Sequence, residues 1–327
     1  MTTINNYVSA IEHALSAELD THKEPAELYS PIHYLFQGGG KRIRPLLVLL
    51  SAEVVGGNIV TAMPAALAAE LLHNFTLVHD DIMDRSALRR GRATIHTKYS
   101  TNDAILSGDV LLGLAMRLVA KSVVNNEKAS QVYQAFAQGF IDVCEGQSLD
   151  MSLASSSNTS LDEYFDMIER KTARLLEMCV VIGATIGNGT AMQVQALRTF
   201  ARDLGVAFQL QDDILDLEGS DEFGKTPGGD LVEGKRTWLM LRARDLTRID
   251  HAAYQPLIAE FFTNNGIPHN KVSEMRTALD VLGVATEARA IVQRLTNEAF
   301  GHLNLLPDTP ARDLLRQLAN QLMLRST

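Results

Sequence analysis

Cysteine is nearly absent from this chain. Cys144 and Cys179 are the only two in 327 residues, which excludes a disulfide framework and a cysteine-rich zinc site. Proline is scarce as well, at 9 residues, below the roughly 5% of average proteins, and few helix breakers leave the chain free to be helical. Positive charge is in deficit: the formal net charge is −9 and the sequence pI about 5.5. That excludes the broad basic face of a general nucleic-acid binder, so no nucleic-acid partner is expected. No apolar run is long and unbroken. Residues 178–197 are uncharged, but Gly187-Asn188-Gly189-Thr190 interrupts them, and no stable membrane insertion is expected. Met1-Thr2-Thr3-Ile4 lacks the basic and apolar regions of a secretory signal, so the expected location is cytoplasmic. Alternating apolar and polar runs are also rare, and no sheet is expected.

What remains is an ordinary globular balance, 46% hydrophobic and 21% charged, with helical spacing almost throughout. Tyr7, Ile11, Leu15 and Leu19 recur at four-residue steps, an amphipathic stripe. Segments 45–55 and 62–79 are apolar on most sides, as in helices buried all round. Further helices are expected at 102–124, 127–153, 161–186, 191–217, 234–246, 271–303 and 311–324. The breaks are short and Gly- or Ser-rich, except for one long charged loop at 219–234. A loop of that length is often functional.

One acidic pattern occurs twice. Asp80-Asp81-Ile82-Met83-Asp84 and Asp212-Asp213-Ile214-Leu215-Asp216 share the form D-D-x-x-D, each at the end of an apolar helical run. Residues i and i+4 share a helix face, and like charges there repel. Such pairs make sense when cations sit between Asp80 and Asp84 and between Asp212 and Asp216. All-oxygen ligands favour Mg²⁺, Mn²⁺ or Ca²⁺. Mg²⁺ usually takes one or two carboxylates and leaves its other positions to water and phosphate, so two pairs suit a diphosphate bridged by metal.

Cations cluster nearby in sequence. Lys41, Arg42 and Arg44 follow Gly38-Gly39-Gly40, and three cations in four residues suit a metal-free anion site. Arg89 and Arg90 follow the first acidic cluster. His73 stands two helical turns before Asp80, on the same face. Lys171 and Arg174 share one helix, and Lys225, Lys235 and Arg236 lie in or beside the long loop. Two other patterns mislead. Residues 219–226 match G-x-x-x-x-G-K-[ST], yet a helix precedes them and Pro227-Gly228-Gly229 follows, the wrong context for a P-loop. Glu70-Leu71-Leu72-His73 matches half of a di-iron bundle motif, which needs two copies and two more glutamates.

Taken together, Gly38 to Pro45, Asp80 to Asp84 with Arg89-Arg90-Gly91, Lys171-Thr172, Gln209 to Asp216, and Phe223-Gly224-Lys225 with Gly229-Asp230 resemble, in order, the motifs of the trans-isoprenyl diphosphate synthases, or polyprenyl synthetases. The resemblance spans about residues 38–236. It implies an all-α, isoprenoid-synthase-type helical bundle around a deep central cavity, one domain over residues 1–327, usually as a homodimer. It implies that Asp80, Asp84 and Asp212 bind Mg²⁺, three ions with substrate bound and Mn²⁺ able to substitute, with Asp81, Asp213 and Asp216 in support. Lys41, Arg44, His73 and Arg90 would hold isopentenyl diphosphate. Arg89, Lys171, Thr172, Gln209, Lys225 and Lys235 would hold the allylic diphosphate. The implied reaction is ionisation of the allylic C–O bond, condensation with isopentenyl diphosphate, and loss of a proton to the released diphosphate.

Phe75 and Thr76, five and four residues before Asp80, are the expected determinants of product length. An aromatic residue at the fifth position is similar to enzymes making twenty-carbon products, so geranylgeranyl diphosphate is expected, with farnesyl diphosphate or a longer polyprenyl diphosphate as alternatives. On a helical wheel Phe75 lies about 140° from Asp80 and Thr76 about 40°, so core packing of Phe75 stays open. A class I terpene cyclase and a non-catalytic modulating subunit are the competing readings. Both are weakened by two intact all-Asp clusters and a second basic site.

Overall fold

The computed structural model describes residues 3–123, 126–154, 156, 158–219 and 228–324. Its described residues are almost entirely helical. In chain order the helices are α1 (Ile4–Leu19), α2 (Ala26–Phe36), α3 (Ile43–Val54), α4 (Ile59–Met83), α5 (Ile95–Lys98), α6 (Thr101–Lys121), α7 (Asn126–Ala154), α8 (Leu161–Ile168), α9 (Arg174–Ile186), α10 (Ala191–Glu218), α11 (Gly229–Glu233), α12 (Trp238–Ile249), α13 (Gln255–Asn264), α14 (Val272–Val281), α15 (Val284–Leu303) and α16 (Pro310–Met323). Between α4 and α5 lies one antiparallel hairpin, β1 (Leu88–Arg89) and β2 (Arg92–Ala93), with Leu88 opposite Ala93 and Arg89 opposite Arg92.

The chain divides into two compact units. One comprises residues 1–140, 177–198 and 303–318; the other comprises 141–176, 199–302 and 319–327. In the first, α4 packs chiefly against α6 and α3. Five consecutive residues of α3, Leu46 to Leu50, are buried, which a helix permits only when neighbours cover it on several sides. The stripe expected on α1 is the buried stripe: Ile4, Tyr7, Ile11, Leu15 and Leu19. Asn58 caps α4, its side chain accepting from the Val60 N–H at 2.8 Å.

The second unit has its own core, with Trp238, Met240, Phe261, Met275 and Leu279 fully or nearly buried around α10. A capping box opens α8. The Ser160 hydroxyl accepts from the Glu163 N–H at 3.1 Å, and the Glu163 carboxylate accepts from the Ser160 N–H at 2.8 Å. Between α8 and α9 the helix widens into a π turn over Glu169–Ala173. Two glycines make room for it. A Cβ at Gly146 of α7 would lie 2.3 Å from the Lys171 nitrogen, and one at Gly205 of α10 would lie 2.5 Å from the Ala173 Cα.

Several boundaries differ from expectation. Helix α2 and helix α13 were not foreseen, nor was the hairpin. The single helix expected at 271–303 is two, broken at Gly283, whose φ is +71°. The helix expected at 161–186 carries the π turn.

Candidate functional site

The first acidic cluster closes α4. Asp80 and Asp81 lie in its last turn and Asp84 is its C-cap residue. This is the electrostatically unfavourable end for carboxylates, because the helix dipole is negative there. The middle aspartate is tied down: Asp81 is buried and accepts from Arg89 Nε at 2.8 Å. Burial raises its pKa, and Arg89 only partly offsets that. Asp80 is half-buried and Asp84 exposed.

Two turns back, His73 sits among four guanidinium groups. Burial pushes its pKa well below the ordinary value, and Arg44, Arg90, Arg89 and Arg42 push it further. The imidazole is therefore neutral at pH 7 and can hydrogen-bond without adding charge. Arg89 and Arg90 are brought here by the hairpin, whose turn residues Arg90 and Gly91 have φ of +53° and +73°, the pattern of a two-residue hairpin turn that follows the strand twist. Arg90 Nη1 donates to the Gly39 carbonyl at 3.0 Å, tying the hairpin to the glycine loop before the exposed Lys41. Arg42 is a correction. It is buried at φ +50°, with Nε 2.7 Å from Glu12 and Nη1 2.6 Å from Glu70. It is a structural ion pair, not part of an anion site, and Glu70 is thereby engaged.

Phe75 is buried, its ring 4.6 Å from the His79 ring and 5.5 Å, edge to face, from Phe140. Thr76 is buried, and its hydroxyl donates to the His73 carbonyl at 2.8 Å.

The second unit repeats the acidic device. Asp213 is buried in α10 and accepts from the Tyr164 hydroxyl at 2.6 Å and from Gln209 Nε2 at 3.2 Å. Burial, then the charge of Asp230, raises its pKa to about 7 despite those donors. The Gln209 side-chain carbonyl in turn accepts from the Thr172 hydroxyl at 2.9 Å. Thr172, Gln209, Asp213 and Tyr164 thus form one hydrogen-bonded chain. Lys171, beside Thr172 on the π turn, ion-pairs with Asp150. Asp212 is half-buried, and Asp216 Oδ2 accepts from the Asp230 N–H at 2.9 Å. Lys235 is held by Asp230 at 2.7 Å and Glu233 at 3.0 Å.

Arg236 is a second correction. It is buried and donates to the carbonyls of Ser156, Gly234 and Phe262 and to Asn265, so it braces backbone rather than offering a free cation. Lys225 and the P-loop-like stretch beyond Gly219 lie outside the described residues. Three residues missed from sequence enter the second unit's site. Tyr164 and Asp150 carry no local motif that marks them, and Asp230 stands in the Gly229-Asp230 pair with no sequence signal that assigns it a partner.

Among the described residues no group of three or more His, Cys, Asp or Glu side chains is drawn together as a finished metal site. The donor chemistry nonetheless fits magnesium: each cluster offers two carboxylates at helical i, i+4 spacing, and Mg²⁺ draws its remaining ligands from water and phosphate. Among the described residues no helix is long and apolar enough to cross a membrane.

A chain whose described residues are predominantly helical, with paired-carboxylate helix ends, arginines on a braced hairpin and a lysine on a π turn, has the features of a protein that handles diphosphates. The sequence profile of the polyprenyl synthetase family matches residues 25–275, and the chain belongs to that family. It is 34% identical to the geranylgeranyl diphosphate synthase of Methanosarcina mazei over 98% of this chain and 97% of that one. It is also 34% identical to the geranylfarnesyl diphosphate synthase of Natronomonas pharaonis, with all of both chains covered. The crystal structure of geranylgeranyl pyrophosphate synthetase from Pyrococcus horikoshii superposes with a TM-score of 0.90 at 33% identity, covering 98% of this chain and 97% of that one.

Proposed function

We propose that this chain is a magnesium-dependent trans-prenyltransferase that condenses isopentenyl diphosphate head-to-tail with an allylic diphosphate, with geranylgeranyl diphosphate as product. The observation that carries the reading is the matched construction of the two acidic clusters. In each, the middle aspartate is buried and held by protein donors, while the outer pair keeps the i, i+4 spacing that a bridging cation needs. Lys171, Thr172, Gln209, Arg89, Lys225 and Lys235 hold the allylic diphosphate in this reading. Lys41, Arg44, His73 and Arg90 hold isopentenyl diphosphate. Mg²⁺, three ions with substrate bound, would be held by Asp80, Asp84 and Asp212 and supplies charge neutralisation for the departing diphosphate.

The protein's own part is electrostatic. Its cations meet the charge that develops on the leaving diphosphate, and neutral His73 adds a hydrogen bond among the arginines without further repulsion. No side-chain nucleophile is required, and the proton lost after condensation passes to the released diphosphate. Phe75, braced by His79 and Phe140, closes the floor of the product channel. The whole chain acts as one catalytic domain and pairs as a homodimer in the cytoplasm.

The test incubates purified protein with Mg²⁺, isopentenyl diphosphate and, separately, five-, ten- and fifteen-carbon allylic primers, with products sized after dephosphorylation. Growth that stops at twenty carbons supports the reading. Growth to twenty-five or more keeps the reaction and removes the Phe75 floor. No elongation from any primer refutes the enzyme and leaves a cyclase or a modulating subunit.

A further inference from the structure

The hairpin that carries Arg89 and Arg90 is too small to hold itself. Each strand has two residues, and an isolated two-stranded hairpin is marginal even when longer. Its turn also places Arg90 at φ +53°, a conformation unfavourable for a residue with a Cβ. Such strain persists only where surrounding structure fixes it.

Tyr34 supplies much of that fixing. It lies in the last turn of α2, four residues before Gly38. Its hydroxyl donates to the Ala93 carbonyl on β2 at 2.9 Å. Its ring draws in two cations from the hairpin side, with the Arg92 guanidinium carbon 4.3 Å and Lys98 Nζ 3.7 Å from the ring centre. Both are well inside the roughly 6 Å reach of a cation over an aromatic face. Those cations would repel one another, and the electron-rich ring offsets that. The Arg92 guanidinium also reaches the start of the glycine loop, since a Cβ at Gly38 would sit 2.9 Å from its Nη1.

We propose that Tyr34 is a positioning residue: an aromatic clasp that fixes the register between the glycine loop leading to Lys41 and Arg44 and the hairpin turn bearing Arg90, and so sets affinity for the non-allylic diphosphate. This rests on the assignment of Lys41, Arg44 and Arg90 to isopentenyl diphosphate; Arg89, assigned to the allylic diphosphate, is anchored separately by Asp81 at 2.8 Å. Tyr34 touches no substrate. Its effect is confined to the geometry of the two segments, so it acts on isopentenyl diphosphate and leaves the Lys171–Thr172–Gln209 groups and product length alone.

The test compares Tyr34→Leu with Tyr34→Phe. In Tyr34→Leu the KM for isopentenyl diphosphate rises about tenfold, equivalent to about 1.4 kcal/mol, while the KM for the allylic primer and the product length stay within twofold of the parent. Tyr34→Phe, which keeps the ring over both cations and loses one hydrogen bond, rises only about two- to threefold. A merely structural role would lower the active fraction without splitting the two KM values. An isopentenyl diphosphate KM within twofold of the parent in Tyr34→Leu overturns the proposal. So does a parallel rise in both KM values, or a phenylalanine variant as impaired as the leucine one. Should Tyr34→Leu not fold, Arg92→Met and Lys98→Met each remove one cation and raise the same KM about threefold, and unchanged values overturn the clasp. Calorimetric titration of isopentenyl diphosphate into the resting protein separates the two levels. Absent elongation by the parent fails the enzyme reading, whereas equal Kd in parent and Tyr34→Leu fails the clasp.

Discussion

Gly146→Ala tests the π turn directly. Gly146 lies on α7 with the backbone of Lys171 against it. An added Cβ would fall 2.3 Å from the Lys171 nitrogen, 2.6 Å from its Cα and 2.8 Å from the Arg170 carbonyl carbon. Every one of those atoms is backbone, so no side chain can rotate away. Relief requires the π turn to move outward by roughly 1 Å, the difference between these distances and ordinary van der Waals contact near 3.5 Å. Forcing one extra methyl into a packed interior costs about 1–3 kcal/mol. At the roughly 2–4 °C per kcal/mol of mid-sized domains, Tm falls by about 2–12 °C. The shift displaces Lys171 from Asp150 and pulls Thr172 away from Gln209. A misplacement of about 1 Å in a positioning group can cost about a hundredfold. Steady-state kinetics should therefore show kcat/KM for the allylic primer falling about 10- to 100-fold, with the KM for isopentenyl diphosphate unchanged. A variant with the expected drop in Tm but parental allylic kinetics would refute a functional role for the π turn and leave it a packing feature.

Phe75→Ala should lengthen the product by at least one five-carbon unit, sized by chromatography after dephosphorylation; unchanged length assigns Phe75 to core packing with Phe140 alone. The variant also loses about 3–5 kcal/mol and is best assayed below ambient temperature. Asp84→Asn should abolish turnover yet raise the metal-free Tm by about 1–3 °C, since it removes a repulsive i, i+4 pair and a negative charge from a helix C-terminus; a lowered Tm would contradict the electrostatic argument. His73 has a pKa depressed by folding, so its contribution is intact above the unfolded value near 6.5 and is lost as pH falls below it. Denaturant titrations from pH 7.5 to 5 should show parent stability declining more steeply than that of His73→Gln, by up to about 1.4 kcal/mol per pH unit, and equal slopes would place a protonated imidazole in the fold.

Periodicity made most of the helices legible, because a buried stripe leaves the same trace in sequence and structure: Ile11 and Leu15 recur at the spacing that puts them on one covered face. The acidic clusters were legible because their pattern makes no sense as a stability device. Partner choice was not legible. Arg42 and Arg44 are near-identical as letters in a basic run, yet Arg42 turns inward to Glu12 and Glu70, which lie 30 and 28 residues away. Arg236 likewise sits beside Lys235 in sequence but braces the carbonyls of Ser156, Gly234 and Phe262. A cation's neighbours in the chain do not fix which carboxylate or carbonyl it meets, because long flexible side chains answer to tertiary packing.

The features that escaped the sequence concentrate on the segments that carry the proposed site residues. The hairpin was invisible because two residues per strand leave no alternation to detect, and it carries Arg89 and Arg90. The π turn was invisible because one widened turn barely disturbs a 3.6-residue period, and it carries Lys171 and Thr172. Arg90 adopts the left-handed backbone that local preference disfavours, and it reaches the glycine loop. Natural sequences violate local rules chiefly where function requires it, and neighbouring structure must compensate. Here the compensators are identifiable: Tyr34 for the hairpin, Gly146 and Gly205 for the π turn, Arg89 and Tyr164 for the two buried aspartates. Apart from Arg89, they support the segments that carry the proposed diphosphate-binding groups, which is why a motif written in functional residues alone omits most of them.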